Sequence, residues 1–124
     1  MKIKTYIVED SPTIRDNLIA TLEELTGVST VGTAETEIEA VTWLTNSSNA
    51  WDLAIIDLFL KQGTGLGVVS ACKNRLANQK VIVLSNYATP EVRKQCALLG
   101  ADAVFDKSTE IDQLLEFCTN FNQT

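Results

Sequence analysis

Short apolar runs alternate along this chain with longer stretches in which apolar residues recur at helical spacing. The runs are Ile3 to Val8, Ser29 to Ala34, Leu53 to Ile56, Val81 to Leu84 and Ala103 to Phe105, and they predict five strands. Several are apolar at consecutive positions, the pattern of parallel strands covered on both faces; half-exposed antiparallel strands would alternate. Between them, Ile14, Leu18, Leu22 and Leu25 predict a first helix, with Ser11 as its N-cap and Pro12 at its first position. Ile38, Val41 and Leu44 predict a second, and Leu66, Val69, Cys72 and Leu76 a third. Val92, Cys96 and Leu99 predict a fourth that starts near Pro90 and stops at Gly100. Ile111, Leu114, Leu115, Cys118 and Phe121 form the apolar stripe of a fifth, which should dock on the sheet.

No internal repeat or linker interrupts this alternation, so the 124 residues are read as one α/β domain spanning 1–124. Right-handed crossovers between parallel strands place helices on both faces of a doubly wound sheet. With the strand order 2-1-3-4-5 as the natural candidate, ligands are expected outside the carboxyl ends of the strands, where the order reverses between the first and third.

Composition narrows the chemistry. No apolar run approaches the roughly 18 residues needed to span a bilayer, and charge appears early at the amino terminus, so the expected location is the cytoplasm. The net charge of −6, from 16 acidic and 10 basic residues without a Lys/Arg cluster, argues against direct nucleic-acid binding. The three cysteines, Cys72, Cys96 and Cys118, have no zinc or disulfide spacing and fall on apolar helix phases, as core residues would. There is no histidine, so any catalysis must use carboxylates, hydroxyls or lysine.

The polar residues that follow the strands supply such groups: Glu9 and Asp10 after the first, Asp57 after the third, Ser85 at the end of the fourth, and Asp106 and Lys107 after the fifth. Any one acid there could simply cap the next helix, but together they border the predicted crevice. Carboxylates held close together raise one another's pKa unless a positive charge intervenes. Hard oxygen donors in small number suit magnesium, which keeps several waters and shares its remaining positions with phosphate. An ammonium and a hydroxyl beside such a metal suit a phosphoryl group, and a central carboxylate, Asp57, can accept one as an acyl phosphate.

These residues resemble the receiver domain of two-component response regulators over nearly the whole chain: Glu9-Asp10, Asp57-Leu58-Phe59-Leu60 followed by Gly65, Leu84-Ser85, Gly100-Ala101-Asp102, and Asp106-Lys107. The resemblance implies a flavodoxin-like five-stranded sheet in the order 2-1-3-4-5. It implies that Asp57 receives a phosphoryl group from a sensor histidine kinase or histidine phosphotransfer protein. Mg2+ would be held by Glu9, Asp10, Asp57 and the Phe59 backbone carbonyl, while Lys107 and Ser85 grip the phosphoryl oxygens. It further implies a downstream effector protein or domain, an option of dimerising through the face of helix 4, strand 5 and helix 5, and no enzymatic activity beyond the chain's own phosphorylation and dephosphorylation.

Several positions depart from the family pattern. Val104 stands where an aromatic switch residue is usual, and Phe105 should point to the opposite face of its strand. Lys61 stands where proline is usual, and Asn86 where a small residue follows the hydroxyl. Ser108 replaces the proline after the lysine, so either Lys107 is aimed differently or a cis bond costing about 2.5 to 4 kcal/mol persists before a non-proline residue. Phe59 and Tyr87 would flank the path of hydrolytic water and slow loss of the phosphoryl group. The alternative function is a pseudo-receiver, a phosphorylation-independent protein-interaction module. An aspartyl phosphatase would need an acid at Phe59, and a flavin phosphate would be repelled by Glu9 and Asp10. The glycines of Gly63-Thr64-Gly65-Leu66-Gly67 are read as permitting a turn.

Overall fold

The computed structural model describes residues 2–122; Met1, Gln123 and Thr124, the ends of the range read as one domain, lie outside them. Ten elements alternate along the chain: β1 (Lys4–Val8), α1 (Pro12–Thr26), β2 (Ser29–Ala34), α2 (Glu37–Leu44), β3 (Leu53–Ile56), α3 (Gly65–Ala71), β4 (Lys80–Ser85), α4 (Pro90–Leu98), β5 (Ala103–Asp106) and α5 (Ile111–Asn122). All strand pairs are parallel and the order is β2-β1-β3-β4-β5, the flavodoxin-like arrangement.

The consecutive apolar runs divide by parity, as the two-residue period of a strand requires. Val8, Ala54, Ile56, Val81 and Val83 face one core with residues of α2, α3 and α4. Ile7, Leu53, Ile55, Ile82 and Leu84 face the other with residues of α1 and α5. Burial on both faces is what made these runs continuous rather than alternating. The buried thiols fit the core reading: burial pushes Cys72 up to about 11 and Cys118 up to about 12, and raises Cys96, so all three stay protonated.

Local signals set most helix ends. The Ser11 hydroxyl accepts the Ile14 amide at the start of α1, and Gly27 closes that helix in the left-handed region at φ 76°. Thr36, Thr64 and Thr89 cap α2, α3 and α4 in the same way as Ser11. Gly100, at φ 107°, ends the turn after α4.

Some boundaries differ from the sequence expectation. Strand β1 begins at Lys4 rather than Ile3, and β4 extends one residue at each end. Helix α3 stops at Ala71, so Cys72 is its cap and Leu76 lies beyond it, 68% exposed. The apolar phase runs on past the true end because Arg75 turns back and donates to the Cys72 carbonyl, satisfying a terminal acceptor outside the helix. Among the described residues, no helix is long and apolar enough to cross a membrane.

Candidate functional site

Strands β1, β3 and β5 of the parallel sheet deliver the residues that follow them to its carboxyl end. The Glu9 amide donates to the Ala34 carbonyl at 3.0 Å, and the Asp57 amide to the Val8 carbonyl at 2.9 Å, so both acids are held by extensions of the strand ladder. On the far side, the Lys107 amide donates to the Ser85 carbonyl at 3.0 Å. Backbone bonds therefore set where these side chains start.

Their side chains meet. Lys107 Nζ donates to Glu9 Oε1 at 2.6 Å and to Asp57 Oδ2 at 3.1 Å, with Glu9 3% and Asp57 9% exposed. Asp10 joins them, since oxygens of Glu9, Asp10 and Asp57 all lie within 4.8 Å of one another. Burial, reinforced by the neighbouring Glu9, raises the Asp10 pKa above the ordinary carboxylate value. Burial works against the Lys107 ammonium, but its bonds to Glu9 and Asp57 outweigh this and hold its pKa above the usual lysine value. Three carboxylates and one ammonium leave a formal charge of −2, which one divalent cation would balance. A compact set of hard oxygens with that charge fits magnesium.

Ser85 is fully buried, and its hydroxyl accepts the Tyr87 amide at 3.0 Å rather than bonding to the acids. Phe59 follows Asp57 closely, its amide 3.5 Å from Asp57 Oδ1, and its ring stands 60% exposed. It meets Tyr87, itself 59% exposed, edge to face with centroids 4.9 Å apart. Two rings thus stand beside the acids without a core to cover them. Val104 packs against the core under α4, whereas Phe105 lies on the opposite face against Phe117, as the alternation of the strand requires.

Asp106 does not join the cluster, contrary to its grouping with the strand-end acids. Its Oδ1 accepts the Ser108 amide at 2.8 Å, the Ser108 hydroxyl at 2.6 Å and the Thr109 amide at 3.2 Å, and the Ser108 bonds chiefly hold its pKa below the ordinary range. The Asp-x-Ser-Thr order is a turn signal, and the turn has captured the carboxylate. Among the described residues no peptide bond is cis, so Lys107 reaches Glu9 and Asp57 through a trans Lys107-Ser108 bond.

One polar network had no sequence signal. Arg93 of α4 donates to the Ala88 carbonyl at 2.9 Å and the Val104 carbonyl at 2.9 Å, and pairs with Glu110. Glu110 in turn accepts the Asp106 amide at 2.9 Å. The network ties the β4–α4 loop to β5 one residue before Lys107. A lone arginine in a polar helix gives no hint of this in one dimension.

The model of the family described as response regulator receiver domain matches residues 5–119. The chain belongs to that family. A protein of Pseudomonas aeruginosa named "Putative transcriptional regulator" is 31% identical to this receiver over 112 residues, covering 90% of this chain and 53% of that protein. The receiver thus spans about half the length of that relative. Among solved structures, the receiver domain of the Francisella response regulator 1452 superimposes with a TM-score of 0.84 at 22% identity, covering 98% of both chains. A response regulator from Burkholderia pseudomallei, crystallised with a phosphorylated aspartic acid, a calcium ion and citrate, gives a TM-score of 0.79 at 21% identity, covering 98% of this receiver and 70% of that chain.

Proposed function

We propose that this receiver is a phosphoacceptor switch in which Asp57 takes a phosphoryl group from a phosphohistidine on a sensor histidine kinase or histidine phosphotransfer protein. The supporting observation is the meeting of the Lys107 ammonium with Asp57 and Glu9 beside Asp10. Because these 124 residues contain no histidine, the phosphohistidine lies outside them. In the transfer an Asp57 oxygen forms a bond to phosphorus as the phosphorus–nitrogen bond of the donor breaks, and the leaving imidazole takes up a proton.

Glu9, Asp10, Asp57 and the Phe59 carbonyl would hold Mg2+, and bound magnesium supplies neutralising charge for the transferring oxygens. Lys107 already touches the acceptor, so it is placed to follow an oxygen of the incoming group. Ser85 has its hydroxyl tied to the Tyr87 amide, and drawing that hydroxyl toward a phosphoryl group releases the β4–α4 loop. That loop is also gripped by Arg93, which offers a route to β5 and α5 where Val104 replaces the usual aromatic residue.

The output is a change in binding to a downstream effector protein or domain, in the cytoplasm, with no direct nucleic-acid contact by the receiver itself. The name and length of the Pseudomonas relative support an effector in that protein. Pairing of two copies through α4, β5 and α5 is part of the proposal, as is the absence of catalysis on other molecules.

The test is intact mass after incubation with acetyl phosphate, with and without magnesium, on wild type and Asp57→Asn. One magnesium-dependent phosphoryl adduct on wild type and none on Asp57→Asn is the expected result. No adduct on wild type, with acetyl phosphate and with a phosphorylated kinase alike, would leave the pseudo-receiver as the better reading.

A further inference from the structure

The run Gly63-Thr64-Gly65-Leu66-Gly67 has a partner that a turn alone does not require. The β3–α3 loop is exposed from Lys61 through Thr64, so it has no apolar burial to hold its shape. It is held instead by the β2–α2 turn. The Lys61 amide donates to the Glu35 carbonyl at 3.3 Å, and the Glu37 amide donates to the Gln62 carbonyl at 3.0 Å. The Thr64 amide donates to Glu37 Oε1 at 2.8 Å.

The glycines make room for that carboxylate. A Cβ on Gly63, whose φ is +79°, would lie 2.4 Å from Glu37 Cβ, and one on Gly67 would lie 2.4 Å from Glu37 Cδ. At the other side of the loop, a Cβ on Gly65 would lie 2.0 Å from the Asp57 carbonyl oxygen, and the Gly65 amide donates to the Leu58 carbonyl at 2.8 Å. Phe59 pairs with Thr64 across the loop. Glu37 therefore holds Thr64, and Thr64 and Gly65 lie directly on the segment Asp57 to Phe59.

We propose that Glu37 is a positioning residue for the metal-binding segment, clamping the β3–α3 loop so that Asp57 and the Phe59 carbonyl keep the spacing a divalent cation needs. The inference rests on the reading of Asp57 and its neighbours as a magnesium site. Glu37 itself touches neither the cation nor the phosphoryl group; it acts through Thr64 and the loop backbone, as outer partners of metal ligands do.

Magnesium affinity measured by calorimetry on the full chain, alongside the thermal midpoint, tests it. Glu37→Ala should weaken Mg2+ binding about tenfold, the lower end of what losing an outer partner costs. Glu37→Gln, whose amide oxygen can still accept the Thr64 amide, should stay within about threefold of wild type. Gly67→Ala should weaken binding about tenfold beside Glu37 but by less than about twofold in the Glu37→Ala background, where the group it crowds is gone.

Wild-type affinity in Glu37→Ala, or equal effects of Gly67→Ala in both backgrounds, would overturn the clamp. So would a loss of affinity that merely tracks a fall in thermal midpoint across the variants. Should Glu37→Ala fail to fold, Glu37→Asp asks the same question with the carboxylate withdrawn by one methylene. A wild-type protein that binds no magnesium overturns the site reading itself, whereas normal wild-type binding with unaffected variants overturns the clamp alone.

Discussion

Where the strands of the sheet begin, Arg75 donates to Asp102 at 2.6 Å and to the carbonyls of Cys72, Gly100 and Gln79, while Asp102 also accepts the Val81 amide at 2.8 Å. Where the strands end, Lys107 serves two of three neighbouring carboxylates. The aromatic residues follow the same division. Trp51 at the first end is 4% exposed and donates its indole N–H to the Leu44 carbonyl at 3.0 Å. Phe59 and Tyr87 at the second stand about 60% exposed against each other. At one end of the fold the Arg75 and Asp102 charges balance each other. The unbalanced acids at the other could hold a metal ion, and their mutual repulsion carries some cost in stability.

This contrast can be broken at either end. Arg75→Ala leaves Asp102 with the Val81 amide but no counter-charge and takes the side-chain donors from the Gln79 and Gly100 carbonyls, and should lower the unfolding free energy by about 2 kcal/mol. Chemical denaturation reads that loss, and magnesium affinity under native conditions should not change. Cutting Phe59 and Tyr87 to alanine should leave stability nearly intact but speed decay of the phosphorylated form about tenfold, equivalent to about 1.4 kcal/mol. Intact mass followed over time measures it, and unchanged decay would show that the rings do not guard the phosphoryl group.

The smallest expected effect is opposite in sign to the first. Asp10→Asn should stabilise the metal-free protein by about 0.5 to 1 kcal/mol, a modest figure because the side chain is partly exposed. Burial and Glu9 put the folded-state pKa of Asp10 above its ordinary 3.8, so folding disfavours the ionised form. The gain should be complete above that raised value, shrink as the pH falls through it, and vanish below 3.8, where the carboxyl is protonated in both states. Denaturation curves of the two proteins across acidic pH would reveal this. A destabilised Asp10→Asn at neutral pH would mean that the acidic end is already balanced.

The sequence disclosed what depends on period and on near neighbours. Ile7, Leu53 and Ile82 sit in runs buried on both faces, so the parallel sheet was readable from the apolar pattern alone. Glu9 and Asp57 directly follow β1 and β3, and Lys107 directly follows β5, so knowing the strands located the site. What escaped depends on contacts between distant residues. Leu76 keeps helical phase, yet the helix has already ended where Arg75 bonds back to Cys72. Asp106 lies at the carboxyl end of its strand, close in sequence pattern to the other acids, yet Ser108 and Thr109 draw its carboxylate into a turn. The space that Gly63 and Gly67 leave is meaningful only beside Glu37, a residue more than twenty positions earlier, and no local pattern links them.

The Lys107 bridge also has a consequence for how the protein is made. It joins residue 107 to residues 98 and 50 positions earlier in the chain. During translation Glu9, Asp10 and Asp57 therefore emerge while their ammonium partner has yet to be synthesised. A nascent chain that stops before β5 displays the acids without their counter-charge and without the neighbour that fixes Asp57. The acids thus gain this partner only once Lys107, directly after the last strand, has been added to the chain.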